Sequence, residues 1–211
     1  MCRSGAPRRA RSSSGQHNMC SVRVGGLTVQ MTFAVDPPEE VWTHPAVHVG
    51  YSTIAGKGLL TSAPLETGTV VVRLGGRRVT TAELHALFDS ASAAASNDYV
   101  DTFAVSHDTH LVLPTQTAAH YANHSCDPTM WLVSPFELAT CRRVVAGEEL
   151  TVDYGLISDD DEFRMECGCR SSRCRDVITG ADWRRVDLQT RYEGHWPLGL
   201  RRRIEGQNPP D

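Results

Sequence analysis

Tyr121-Ala122-Asn123-His124-Ser125-Cys126-Asp127-Pro128 places an amide, an imidazole and a thiol in four consecutive positions. Asn123 can donate and accept at once, which suits a ligand with both amino and carboxylate ends. His124, taken alone, reads as a structural histidine. Cys126 is a soft donor that would matter beside other thiols. Upstream lies Ile54-Ala55-Gly56-Lys57-Gly58-Leu59, in which two glycines let backbone approach a ligand closely. Downstream lies Gly147-Glu148-Glu149-Leu150-Thr151-Val152-Asp153-Tyr154-Gly155.

Shortly beyond Gly155 stands Cys167-Gly168-Cys169 with Cys174, a C-x-C-x4-C arrangement. Thiolates so close together can reach one metal, and zinc takes four ligands in a tetrahedron. By residue type the fourth ligand is Cys126, His124 or Cys141, and spacing alone does not choose. Gly168 is expected to let the chain wrap tightly around the ion. A site closed by thiolates leaves no open position, so the metal would be structural. The chain has seven cysteines and no apolar leader at its start, which favours metal binding over disulfides.

With 211 residues, 40 % of them hydrophobic, the chain suits one domain of ordinary size. No run of apolar residues is long enough to span a membrane, so a soluble, cytoplasmic protein without a membrane partner is expected. The net charge of −4 argues against nucleic acid as a partner. Lys57 is the only lysine. Residues 1–21, rich in Arg, Ser and Gly, read as a disordered arm.

From Val22 onward, short β-branched runs alternate with turn residues, a mostly β pattern with few short helices. The expected strands are Val47–Thr53, Thr69–Leu74, Tyr99–Val105, His110–Leu113, Met130–Val133, Phe136–Arg143 and Glu149–Val152. Thr80 with Glu83 forms a capping box ahead of Leu84, Leu87 and Phe88. Thr115–Tyr121 reads as a short helix and Thr179–Tyr192 as partly helical.

Together, Gly56-Lys57-Gly58, the Asn123–Pro128 stretch, the Glu149–Tyr154 stretch and the C-x-C-x4-C cluster resemble a SET-domain protein-lysine methyltransferase with a post-SET zinc segment, of the small free-standing bacterial type. The resemblance implies a SET-domain fold of small curved sheets in which the Asn123–Cys126 and Tyr154 segments form a pseudoknot. The boundaries it implies are 22–155 for the SET domain, 156–178 for the zinc segment and 179–211 for a helical tail.

The function implied is methyl transfer from S-adenosyl-L-methionine to an exposed lysine of a protein substrate, with Tyr154 as the catalytic residue. Gly56, Lys57, Gly58, Asn123, His124 and Tyr154 are the implied cofactor contacts. Cys126 becomes the fourth ligand, beside Cys167, Cys169 and Cys174, of a structural zinc. Tyr51, Tyr99, Phe103 and Tyr121 are candidate walls, Asp159–Glu162 a candidate acidic rim for a basic peptide, and Trp183 with Tyr192 a candidate lid. Thr129, His120 and Val152 depart from common family patterns. The alternative reading is a non-catalytic SET module, a zinc-stabilised surface for protein interaction.

Overall fold

The computed structural model describes residues 20–24, 27–31, 36–93, 100, 102–106, 108–158 and 161–207. The chain divides into two units, Met1–Asp36 and Pro37–Asp211. In the first, β1 (Cys20–Val24) pairs antiparallel with β2 (Leu27–Met31). Cys20 and Ser21 of the expected arm thus stand in β1, and the rest of the arm lies outside the described residues.

The second unit begins with β3 (Trp42–Thr43), β4 (Val47–Tyr51), β5 (Lys57–Thr61), β6 (Val70–Arg73) and β7 (Arg77–Val79). There follow α1 (Thr81–Ala93), β8 (Thr102–Ser106) and β9 (Thr109–Val112). After a short 3-10 turn at Ala118–Tyr121 come β10 (Met130–Ser134), β11 (Glu137–Thr140) and β12 (Glu149–Leu150). The chain closes with β13 (Arg164–Glu166), β14 (Val177–Thr179), α2 (Val186–Arg191) and α3 (Leu198–Gln207). The strands form small separate sheets in the orders β10-β11-β6-β3, β12-β5-β4, β7-β9-β8 and β13-β14. Every ladder is antiparallel. The mostly β reading with few helices therefore holds. No described helix is long and apolar enough to cross a membrane.

The seven expected strands form with shifted ends, and β1, β2, β3, β5, β7, β13 and β14 come in addition to them. The strand expected over Val47–Thr53 stops at Tyr51, because Ser52 turns the chain by accepting the Ile54 and Ala55 N–H groups on its hydroxyl. The next strand, β5, was not expected; it runs straight out of the glycine loop and pairs on both sides, with β4 and with β12. Tyr99 lies outside the described residues, and the strand near it begins at Thr102. The capping box forms as expected. Thr80 Oγ1 accepts from the Glu83 N–H at 3.3 Å, and the Glu83 carboxylate accepts from the Thr80 N–H at 2.8 Å.

Two apolar clusters hold the second unit. The larger packs Leu59, Val71, Val72, Leu111, Met130 and Leu150 between the small sheets, all fully buried. The smaller joins Leu156 to Trp183, Leu188, Tyr192, Trp196 and Leu200 of the tail. Trp183 and Tyr192 are each 2 % exposed. Both are core residues, and burying two large aromatic rings here secures the tail to the Tyr154 segment.

Candidate active site and thiol cluster

Two distant segments meet at a parallel bridge between His124 and Val152. Val152 N–H donates to the Asn123 carbonyl at 3.0 Å, and Ser125 N–H donates to the Val152 carbonyl at 3.1 Å. In such a bridge the central residue turns its own N–H and C=O away from the partner strand, so those of His124 face the other side. Two residues past Val152, Tyr154 arrives beside Ala122 and His124. Its hydroxyl donates to the Ala122 carbonyl at 3.0 Å, and its N–H donates to His124 Nδ1 at 3.1 Å.

That last bond sets the histidine's chemistry. Burial pushes the His124 pKa down to about 4, partly offset by Asp153 nearby. The ring is therefore neutral near pH 7, with Nδ1 as acceptor and the proton on Nε2. Nε2 lies 3.3 Å from Cys126 Sγ, toward which it donates.

The glycine loop is latched to this crossing. Asn123 Nδ2 donates to the Lys57 carbonyl at 2.9 Å, the Ala55 carbonyl at 3.2 Å and Glu149 Oε1 at 2.7 Å. Ser52 Oγ bonds the same carboxylate at 2.8 Å. A methyl built on Gly58 would meet that carboxylate, so a larger residue there would displace Glu149 from its bonds with Asn123 and Ser52. Gly56 takes a positive φ of 50°. Lys57 is exposed, its Nζ 5.7 Å above the Tyr121 ring. Of the candidate walls, Tyr51 is 92 % exposed, whereas Phe103 is buried.

Cys126, Cys167, Cys169 and Cys174 bring their sulfurs within 4.8 Å of one another. The Cys126–Cys167 separation is 3.7 Å. A zinc–sulfur bond of about 2.3 Å implies a tetrahedron edge of roughly 3.8 Å, so the donor set fits zinc in number, chemistry and spacing. Cys141 stays apart, its thiol on the Pro128 carbonyl. Positive φ falls at Arg170 and Asp176, not at Gly168, so the residues flanking the cluster carry the tight wrap expected of the glycine. Burial pushes the Cys126 thiol up to about 11. Burial also opposes ionisation of Cys169, but hydrogen bonds from Ser171 and neighbouring groups outweigh it and bring its pKa down to about 6.

Between the cluster and Tyr154 lies a buried ionic network. Arg175 grips Asp153 bidentately, with both bonds at 2.6 Å. It also faces Asp182 at 3.0 Å, an ion pair without hydrogen-bond alignment. Asp153 is fully buried and also accepts from the Tyr192 hydroxyl and the Gly155 N–H, each at 2.9 Å. Burial by itself would raise the Asp153 pKa, but Arg175 more than compensates and holds the carboxyl below its ordinary range. Burial beside Asp153 raises the Tyr192 phenol, which stays protonated as a donor.

Tyr154 borders a cavity of about 740 Å³. Val152, Ala122, Phe103, Leu84 and Phe88 supply apolar wall, and His85, His110, His120 and Asp161 supply polar groups. Asp161 is exposed at this cavity and pairs with Arg184 at 3.4 Å. Asp159 and Asp160 of the expected acidic rim lie outside the described residues. Thr129 is buried, and its hydroxyl bridges the Glu149 carbonyl and the Thr151 N–H, a reason for a hydroxyl at that position.

Ser52, Glu149, Asp153, Arg175 and Asp182 were not among the expected site residues. The bonds that tie them into the site, Ser52–Glu149, Asn123–Glu149 and Arg175–Asp153, span 22 or more positions, so no short-range spacing marks them.

A SET domain family model matches residues 56–155. The chain is 29 % identical over 143 residues to histone-lysine N-methyltransferase 2B of Homo sapiens, 63 % of this chain but 5 % of that protein. It is 29 % identical over 142 residues to histone-lysine N-methyltransferase trithorax of Drosophila virilis, covering 63 % of this chain and 4 % of that one. Against histone-lysine N-methyltransferase ash1 of Drosophila melanogaster the figures are 29 % over 150 residues, 66 % and 7 %. The chain thus spans less than a tenth of the length of these relatives.

Proposed function

This chain carries a SET domain homologous to those of histone-lysine methyltransferases, and on that premise we propose that it transfers a methyl group from S-adenosylmethionine to the side-chain amine of a lysine on a protein substrate. The observation that supports this most is the meeting of Asn123, His124 and Tyr154 at one crossing, between a latched glycine loop and an apolar cavity.

When bound, S-adenosylmethionine supplies a methyl on a sulfonium, which a neutral amine takes while the carbon–sulfur electron pair stays on sulfur. The backbone of Gly56–Gly58, the outward-facing peptide groups of His124 and the Asn123 amide would hold it, with the Lys57 ammonium near its carboxylate. The neutral amine is the demanding requirement, because free lysine has a pKa of about 10.4. Apolar walls such as Val152 and Phe103 disfavour its charged form. Tyr154 directs its one O–H at the Ala122 carbonyl, so its oxygen lone pairs can accept from the amine and orient it. Cys126, Cys167, Cys169 and Cys174 would hold a structural zinc that secures the Tyr154 side of the cavity.

The test is a calorimetric titration of S-adenosylmethionine into zinc-loaded protein, beside an Asn123→Ala variant. Saturable binding that weakens about tenfold or more in the variant, roughly 1.4 kcal/mol, is the expected result. Absent binding, with zinc held and the fold intact, would overturn the enzymatic reading in favour of an interaction module.

A further inference from the structure

The Cys126 sulfur is the meeting point of two chains of hydrogen bonds that both end on the Tyr154 segment. One runs through His124, whose Nε2 lies 3.3 Å from Cys126 Sγ and whose Nδ1 accepts from the Tyr154 N–H at 3.1 Å. The other runs through Arg175. Its N–H donates to Cys126 Sγ at 3.3 Å, while its guanidinium grips Asp153 with two bonds of 2.6 Å. Asp153 in turn accepts the Gly155 N–H at 2.9 Å. The peptide groups on both sides of Tyr154 are thus held by residues that also hold one sulfur of the thiol cluster.

We propose that Arg175, Asp153 and His124 are positioning residues that couple metal occupancy at the thiol cluster to the placement of Tyr154. This rests on the methyltransferase reading only for its catalytic consequence; the coupling itself is a property of the fold.

The physical case has three parts. First, a thiolate bound to a metal is oriented by the donors around it, and loss of such outer partners typically weakens a metal site 10–100-fold. Cys126 is fully buried, so its donors can only be protein groups at these positions. Second, the links are short and rigid. Arg175 and Asp153 have side chains 6 % and 0 % exposed, and a bidentate pair fixes angle as well as distance. Third, a buried charge pair cannot slacken gradually, because a half-broken pair leaves a charge uncompensated. The loop therefore has a formed state and a broken one, and both the metal and Tyr154 favour the formed state. Linkage requires the coupling to act in both directions.

The experiment uses the full chain, Zn²⁺ as the probe and two readouts. Zinc affinity is measured by competition with a chromophoric chelator. Amide exchange of the segment spanning Asp153–Leu156 is followed by mass spectrometry. Arg175→Lys and Asp153→Asn should each weaken zinc binding about tenfold or more, although neither side chain is a metal ligand. Both should speed exchange at the Tyr154 and Gly155 amides while zinc is bound, and stripping zinc from the wild type should do the same. Leu65→Ala, a buried substitution at the Leu65–Val144 bridge and outside the lining of the Tyr154 cavity, supplies the control for lost stability and should move neither readout. Where methyl transfer is measurable, kcat falls in the two variants while KM for S-adenosylmethionine holds.

Wild-type zinc affinity and wild-type exchange in both variants would overturn the proposal, as would equal effects from Leu65→Ala. If a charge left alone unfolds the chain, the double variant Asp153→Leu/Arg175→Met removes both charges. A folded double variant with wild-type zinc affinity would equally overturn it. A wild type that binds zinc and shows the coupling but transfers no methyl would sink the catalytic reading and leave this one standing.

Discussion

Tyr154 is bonded at both ends: its hydroxyl donates to the Ala122 carbonyl and its N–H to His124 Nδ1. Replacing the phenol by Phe keeps the ring and its packing and removes only the oxygen. We expect Tyr154→Phe to lower single-turnover methyl transfer by about 100-fold or more, the scale of losing one preorganised polar group at a reacting centre. Affinity for S-adenosylmethionine should change little, because the latch of Asn123 on the glycine loop is untouched. Equal losses in transfer and in cofactor affinity would instead make Tyr154 a binding residue. At this scale the local sequence was informative. The Asp-Tyr-Gly and Asn-His-Ser-Cys strings contain the groups that meet. Yet Asn123 proves to spend its amide N–H groups on Lys57, Ala55 and Glu149, which residue type alone does not show.

Among the elements, α1 was the most legible, because a capping box is a contact between residues three apart. Thr80→Ala should cost about 1 kcal/mol, read as a lower midpoint in denaturant unfolding. The box also carries a pH signature. The Thr80 N–H, followed by the Thr80 hydroxyl, holds the Glu83 carboxyl below its ordinary value of 4.5. A carboxyl with a depressed folded pKa stabilises above its unfolded value and loses that contribution as pH falls through the folded one. Acidification below that range should therefore lower the protection factors of the amides in the first turn of α1, and Glu83→Gln should abolish this pH dependence. The strands were less legible. β5 contains Gly58 and Lys57, neither a strand former, and exists because β4 and β12 pair with it from both sides.

Across the whole second unit, stability is divided between two apolar clusters. Leu200 is 1 % exposed and packs with Leu156, Trp183 and Tyr192 in the smaller one. Leu200→Ala should cost about 2–5 kcal/mol, measured by denaturant unfolding. The folded fraction should keep its affinity for S-adenosylmethionine, because the larger cluster and the His124–Val152 bridge stay intact. A parallel loss of cofactor affinity would mean that the tail contributes to that site directly.

What the sequence determined by itself is the part of the protein written in short strings. The mostly β class follows from β-branched runs between turns, the cap of α1 from Thr80 and Glu83, and the donor types from Asn-His-Ser-Cys and C-x-C-x4-C. Each rests on contacts among near neighbours, where spacing is geometry. The family resemblance named Cys126 as the fourth thiol where spacing did not choose, and the tertiary structure brings it to the other three, 41 or more positions away, and leaves Cys141 apart. Only the tertiary structure joined Arg175 to Asp153 and turned Trp183 and Tyr192 into core. Those pairings depend on how the chain folds back on itself, and the energy that fixes them comes from burial and buried charge shared across the whole unit.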